Sequence, residues 1–321
     1  MKIIKFFIRI HLLICFLFTL SLAYGQSNKP LTILVPFATG GTVDIVARQL
    51  SIDIGQILDK PVIIDNRGGG GGTIAIAALA RSKPDGDVIL IDHMGITFDE
   101  ALYDKLPYNT KKDIAPVAFI GVTPNVLVVS NKLPVKNIKE FITYAQEHPN
   151  EINYGSGGIG SAGHIAMASF QAATGTSMTH IPYKGSGPAI TDLISGQIQA
   201  MLMTMASIKP YIDSGKVRAL ATSGKTRSAA LQNVPTIAES GVKDFNFTPW
   251  YAVFAPAQTP SSTLDKLHQA VNVSMQNPSN KTKLAQLGLE VSPMKRSEFQ
   301  EIFNSDLDRW GSIIRNLNIK N

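Results

Sequence analysis

Short β-rich runs alternate with helical stripes along almost the whole of this 321-residue chain, and that alternation restricts the fold more than any other feature. The stretches "LTILVP" (31–36), "PVIID" (61–65), "DVILID" (87–92), "NVLVV" (125–129), "SMTHIPY" (177–183), "IQAMLM" (198–203), "KVRALAT" (216–222) and "WYAVFAP" (250–256) read as strands. Helical patterns lie between them. Val43, Val46, Leu50, Ile54 and Ile57 recur at three- and four-residue spacing, one apolar stripe of the kind that packs on a sheet. Near the C-terminus Phe299, Phe303, Trp310, Ile314 and Leu317 share a face. Such alternation predicts an α/β architecture with mostly parallel sheets. No long linker divides the chain. Thr123–Pro124 and Thr248–Pro249 each stand just before an apolar strand, so two strands are expected to cross between lobes. One lobe then comes from both ends of the chain and the other from its middle.

The first residues set Lys2, Lys5 and Arg9 ahead of an apolar run from Leu12 to Leu20 and close on Ala23 and Gly25. That is the pattern of a secretory signal peptide, here cleaved before Gln26. The run is shorter than the ~20 residues that span a bilayer, so a soluble exported protein is expected. Cys15, the single cysteine, leaves with the leader, and Ile14 before it is too large for a lipoprotein signal. The mature chain then has neither disulfide nor thiolate chemistry and depends on its core. Its length, 321 less 25 or 296 residues, suffices for two domains. Losing the leader removes three positive charges and no negative ones, which takes the net charge from +6 to +3. So mild and scattered a surplus argues against nucleic acid as a partner.

Two strand–glycine–helix junctions carry the chemistry. In "INYGSGGIGSAGHIAMASF", Gly155, Gly157 and Gly160 spell GxGxxG. A dinucleotide site wants a carboxylate about 20 residues further on for the ribose, and between Ile152 and Thr191 there is no Asp or Glu. Lys184 leaves only an NADP-type variant open, and no cofactor is expected. What survives is simpler. A helix entered from glycine at Ser161 leaves its first N–H groups unpaired at the positive end of its dipole, which suits an anion. The second junction is "LTILVPFATGGTVDIVARQL", where Gly40 and Gly41 open the loop and Thr42 or Thr39 is placed to cap the helix. Asp44 and Arg48 stand four residues apart, either as a helical ion pair or with the acid lining a pocket. With both loops at carboxyl ends of their sheets, the two helix N-termini face each other across a cleft. A small molecule with a carboxylate at each end suits that cleft.

Other signals fail on inspection. Gly224, Lys225 and Thr226 imitate the end of a P-loop, but Ala219 stands where its first glycine belongs. No GxSxG occurs. His93, His148, His164, His180 and His268 have no metal-ligand spacing and read as surface or packing histidines. A cleft-borne α/β enzyme, hydrolase or cofactor-dependent, would have only Asp44 and His164 to act as base.

These junctions, together with "IIDNRGGGGGTIAIAALARSKPDGDVIL", "HIPYKGSGPAITDLISGQI", "ALATSGKTRSAALQNVPTIAESGV" and "WYAVFAPAQTP", resemble the Bug family in order and over nearly the whole mature chain. Its members are extracytoplasmic solute receptors associated with tripartite tricarboxylate transporters. The resemblance implies a two-lobed type II periplasmic-binding-protein fold with the ligand cleft between its lobes. The lobes are then 26–123 with 251–321, and 124–250, after a signal peptide at 1–25. It also implies a receptor for a small carboxylated solute rather than an enzyme, with no cofactor or metal. Such a receptor is a monomer that works with the membrane components of a transporter or with a sensor protein. Family receptors grip a ligand carboxylate through the loop after the first strand, which here is Phe37, Ala38, Thr39, Gly40, Gly41 and Thr42, with Asp44 matching the motif's acid. The opposing loop matches Ser156, Gly157, Gly160 and Ser161, with His164 one turn into its helix. The chain departs from the family where proline is usual, near Ala38 and Thr39 and between Arg67 and Gly68. After "IQAMLM" the family often sets an Asp or a polar residue toward the ligand, and here Met203, Thr204 and Met205 stand. The expected wall is more apolar, with Thr204 its polar member, and suits one carboxylate on a hydrophobic or aromatic body.

Overall fold

The computed structural model describes residues 29–316 and Ile319; the signal peptide expected at 1–25, with Cys15, and Leu317 of the C-terminal stripe lie outside the described residues. The chain begins β1 (Leu31–Val35), α1 (Thr42–Leu58), β2 (Val62–Asn66), α2 (Thr73–Ala80), β3 (Val88–His93), α3 (Asp99–Leu102), α4 (Thr110–Asp113) and β4 (Ile114–Val122). It continues β5 (Asn125–Ser130), α5 (Ile138–Glu147), β6 (Asn153–Ser156), α6 (Ala162–Thr174), β7 (Thr179–Pro182), α7 (Ser186–Ser195), β8 (Ala200–Thr204), α8 (Met205–Asp213) and β9 (Val217–Thr222). It closes with β10 (Trp250–Pro256), α9 (Ser261–Gln276), α10 (Pro278–Gln286), β11 (Glu290–Val291) and α11 (Arg296–Asn316).

Two sheets result, one ordered β11-β4-β10-β3-β1-β2 and the other β7-β6-β8-β5-β9. Without the short edge strand β11, both follow one plan: second, first and third strands, then a strand arriving from the other lobe, then the fourth. The arriving strands are β10 in lobe 1 and β5 in lobe 2. Each runs antiparallel to both neighbours, β10 against β3 and β4, and β5 against β8 and β9. The ladders β1/β2, β1/β3, β6/β7 and β6/β8 are parallel, as helical crossovers within one lobe require. The expectation of mostly parallel sheets is therefore corrected to mixed sheets, because each passage between lobes reverses chain direction.

The stripe of α1 buries Val43, Val46, Leu50 and Ile54 against Ile33, Val35 and Ile89 of the first sheet. Ile57, assigned to the same stripe, is 43% exposed: it sits in the last turn of α1, two residues before the Asp59 cap, where the helix ends. β4 was not among the expected strands. Pro116 and Gly121 punctuate its sequence, and the sheet accommodates the proline where the register against β10 shifts beside Phe254. α11 buries Phe299, Phe303, Trp310 and Ile314. Trp310 meets Phe98 of lobe 1 edge-on at 5.2 Å and Phe247 of the returning segment at 5.5 Å, so the aromatic core continues past the crossing. The two crossing segments are also tied directly, the Thr123 amide donating to the Pro249 carbonyl at 3.1 Å.

Candidate functional site

A cavity lies between the lobes. Phe37, Gly41, Thr42, Val43, His93 and Tyr251 form its lobe 1 wall. Ser156, Gly157, Ser161, Ala162, Gly163 and Ser186 face them from lobe 2, with Met201, Met203 and Thr204 of β8. The wall is thus built from carboxyl ends of strands and N-terminal ends of α1, α6 and α7. No Lys, Arg, Asp or Glu is among its residues. An anion held here is met by oriented amides and hydroxyls.

In lobe 1, α1 is entered from Gly41 in an extended conformation, and no side chain caps it. The expected cap by Thr42 or Thr39 is corrected: Thr42 already belongs to the helix, and its hydroxyl is engaged by Thr204 and Ser207 across the cleft. The Gly40 amide donates to Asp44 Oδ2 at 3.0 Å and the Gly41 amide to the Ala38 carbonyl at 3.4 Å, so the loop consumes both. The first helical amides, of Thr42 and Val43, remain for a ligand. Asp44 is 2% exposed and off the cavity wall. Its carboxylate also accepts from Arg48 Nε and Asn66 Nδ2, each at 3.0 Å. Burial alone would raise its pKa; the bonds from Arg48, the Gly40 amide and Asn66 outweigh this and hold it below the usual range. Asp44 is the brace of the loop, and Asn66 completes it by donating to the Phe37 carbonyl at 3.0 Å. Ala38 and Thr39 also lie off the wall. The Ala38 amide donates across the cleft to the Lys184 carbonyl at 3.2 Å.

In lobe 2, Ser161 caps α6 by accepting from the His164 amide, leaving the Ala162 and Gly163 amides open. α7 starts alongside, with Pro188 in its first turn where a missing N–H costs nothing. The loop is stiffened from behind. The Gly160 amide donates to His164 Nδ1 at 3.2 Å, and His164 stacks on His180 at 4.0 Å, which stacks in turn on Tyr154 at 4.8 Å. Burial, and for His164 also the neighbouring ring, lowers the two imidazole pKa values to about 3 for His164 and about 4 for His180. Both rings are neutral at physiological pH. His180 Nε2 lies 2.7 Å from Ser156 Oγ, which also bonds the Gly158 carbonyl at 3.0 Å and the Gly158 amide at 3.2 Å. The Ser156 hydroxyl is therefore taken up within its own loop. Gly160 and His164 stand behind the wall.

The lobes are in contact. Thr42, Thr204 and Ser207 share a hydroxyl cluster that the Tyr251 hydroxyl joins, two members from each lobe. Elsewhere backbone meets backbone. At Gly71, with φ of 64°, a side chain would collide with the Ile159 carbonyl of the opposite lobe. At Gly185, with φ of 129°, a Cβ would lie 2.8 Å from the Ala38 nitrogen. A seam of glycines thus lets the cleft shut.

Sequence reading missed Val43, His93, Ala162, Gly163, Ser186, Met201 and Tyr251 on the wall and Ser207 in the cluster. For His93 a signal existed, since it ends a recognisable strand on the side of the sheet where ligands bind. Met205 is turned away from the cavity, accepting from Ser228 Oγ at 3.5 Å. Among the described residues no three His, Cys, Asp or Glu side chains gather as a metal site, and no helix is long and apolar enough to cross a membrane.

Residues 46–319 match the model of the tripartite tricarboxylate transporter family receptor. The chain is 32% identical over 294 residues to the protein BugT of Bordetella pertussis, covering 91% of this chain and 90% of that one. The solved periplasmic binding protein BugD superimposes with a TM-score of 0.88 at 32% identity, over 91% of this chain and 99% of its own. A Rhodopseudomonas palustris protein solved with adipate gives 0.87 at 31% identity, over 91% and 98%. The architecture is the two-lobed type II periplasmic-binding-protein fold that the sequence resemblance implied. The chain belongs to the family of tripartite tricarboxylate transporter receptors, to which the Bug proteins also belong.

Proposed function

We propose that this chain is a periplasmic receptor that closes its lobes on a small carboxylated solute and presents it intact to the membrane components of a tripartite tricarboxylate-type transporter, or to a sensor protein. One observation carries the reading: the interlobe cavity has no charged side chain on its wall, yet N-terminal ends of helices from both lobes converge on it. Such a site binds an anion without offering a catalytic partner. The adipate bound to the Rhodopseudomonas palustris relative supports the carboxylate class. The lobes, 26–123 with 251–321 and 124–250, swing about Thr123–Pro124 and Thr248–Pro249, and the receptor works as an exported monomer after cleavage before Gln26.

A hydrolase reading has one observation in its favour, the 2.7 Å approach of His180 Nε2 to Ser156 Oγ. Two others weigh against it. The Ser156 oxygen is saturated by the Gly158 amide and carbonyl, and His180 is flanked by Tyr154 and His164 in place of an orienting acid. Thermal unfolding against a panel of aliphatic mono- and dicarboxylates, with the solutes followed by NMR, tests the choice. A receptor gains about 2.7 kcal/mol of stability at 100 times the Kd and leaves the solute unchanged. Hydrolysis of a model ester lost in Ser156→Ala would establish the enzyme instead.

A further inference from the structure

His93 ends β3 at the cavity and is 6% exposed. Phe37 stacks on its ring at 5.1 Å and Tyr251 meets it edge-on at 6.1 Å. The Gly95 amide donates to its Nδ1 at 2.6 Å. An imidazole whose Nδ1 accepts carries its hydrogen on Nε2. Burial lowers the pKa to about 4, so the ring stays neutral. The acid beside it in sequence, Asp92, bonds the His93 backbone amide and leaves the ring alone. Among the described residues the Nε2–H has no hydrogen-bond partner. The other side-chain hydroxyls of this wall are already spent, since Thr42 and Tyr251 bond across the cleft to Thr204. The Nε2–H opens onto the cavity and is free to donate to an oxygen placed there.

We propose that His93 is the specificity-determining residue of the cleft, its Nε2–H donating to a second oxygen of the solute, distinct from the carboxylate seated on the helix N-termini. The inference rests on the receptor reading and narrows its solute class. The preferred solute is a carboxylate with an apolar middle, matching Phe37, Val43, Met201 and Met203, and another oxygen acceptor beyond it. A chain that ends in methyl leaves the Nε2–H unsatisfied.

Calorimetry with matched acids tests this, adipate against hexanoate and succinate against butyrate. The parent protein should prefer a diacid to its partner by about tenfold or more, the worth of one good hydrogen bond. His93→Phe, which keeps a ring against Phe37, should lose that preference, read as the ratio of diacid to monoacid affinity within the variant. His93→Gln, which restores an N–H, should recover part of it. In 15N spectra of the parent, the diacid should shift the His93 Nε2 resonance and leave Nδ1 in place, a readout that needs no variant. An undiminished preference in His93→Phe, or an unmoved Nε2 resonance at saturation, overturns the assignment while leaving the receptor intact. A parent that binds none of the four acids overturns the receptor reading and this inference with it.

Discussion

The two loops that face each other across the cleft solve one problem by opposite means. Each must hold a row of amides in place without putting charge on the cavity wall. The lobe 1 loop does so with a charge kept behind it: Asp44 gathers the Gly40 amide, Arg48 and Asn66, and its carboxylate is neutralised where it sits. The lobe 2 loop uses no charge, resting on the stack of Tyr154, His180 and His164 through the Ser156 hydroxyl and the Gly160 amide. The difference teaches that similar glycine junctions can fail under different conditions. A carboxylate with a depressed pKa gives stability that is complete above its unfolded value, about 3.9, and is lost as the pH falls through its folded value. A histidine with a depressed pKa begins to lose its contribution once the unfolded chain takes up protons, below about 6.5. Acid should loosen lobe 2's seat first.

The largest effect should come from where the loops touch. Gly71→Val places a side chain against the Ile159 carbonyl, with a φ that suits only glycine, and disfavours closure without touching the solute. Calorimetry should show affinity lower by about 100-fold, an open-state bias of a few kcal/mol, and circular dichroism a folded protein. Unchanged affinity would mean that the glycines are turn residues and nothing more.

Next comes the brace of lobe 1. Asp44→Asn should destabilise the protein by about 1–3 kcal/mol in urea unfolding at pH 7, the range for bonds to a charged group. The loss should shrink as the pH falls below the usual carboxylate range and vanish once the parent's own carboxylate is protonated. A deficit that persists at low pH would show that packing, and not the carboxylate, holds this loop.

The imidazole stack gives a comparable but oppositely placed signature. Proton uptake by the unfolded chain at His164 costs the parent about 2 kcal/mol between pH 6.5 and 5. His164→Phe, which keeps a ring against His180, should make that part of the stability curve shallower, with His180 and His93 supplying the slope that remains. A curve as steep as the parent's would remove the contrast between the loops. Ser156→Ala should do least, about 1 kcal/mol of stability, with affinity lowered only a few-fold, because its hydroxyl braces the loop from within.

How much of this was legible depended on range in sequence. The glycine junctions at Gly40–Gly41 and Gly157–Gly160 and the Ser161 cap are local chemistry, carried by residues within a few positions of one another. The apolar stripe of α1 is likewise local, apart from Ile57. β4 hid behind Pro116, which only its partner β10 can accommodate. The direction in which Asp44 points was illegible because Asn66, its third partner, lies 22 residues away. Thr42 read as a cap because a hydroxyl at a helix start usually is one. Its actual partners, Thr204 and Ser207, are 162 and 165 residues distant. His93 and Tyr251 meet only because β10 returns from lobe 2 to lie beside β3.

A crystal structure with the tightest acid from the carboxylate panel tests the two-seat cleft most directly. Carboxylate oxygens should lie about 2.7–3.2 Å from the first amides of α1, at Thr42 and Val43, or of α6, at Ala162 and Gly163. A solute held by a Lys or Arg side chain outside this cavity, or a cleft that stays closed and empty at saturation, would contradict the account.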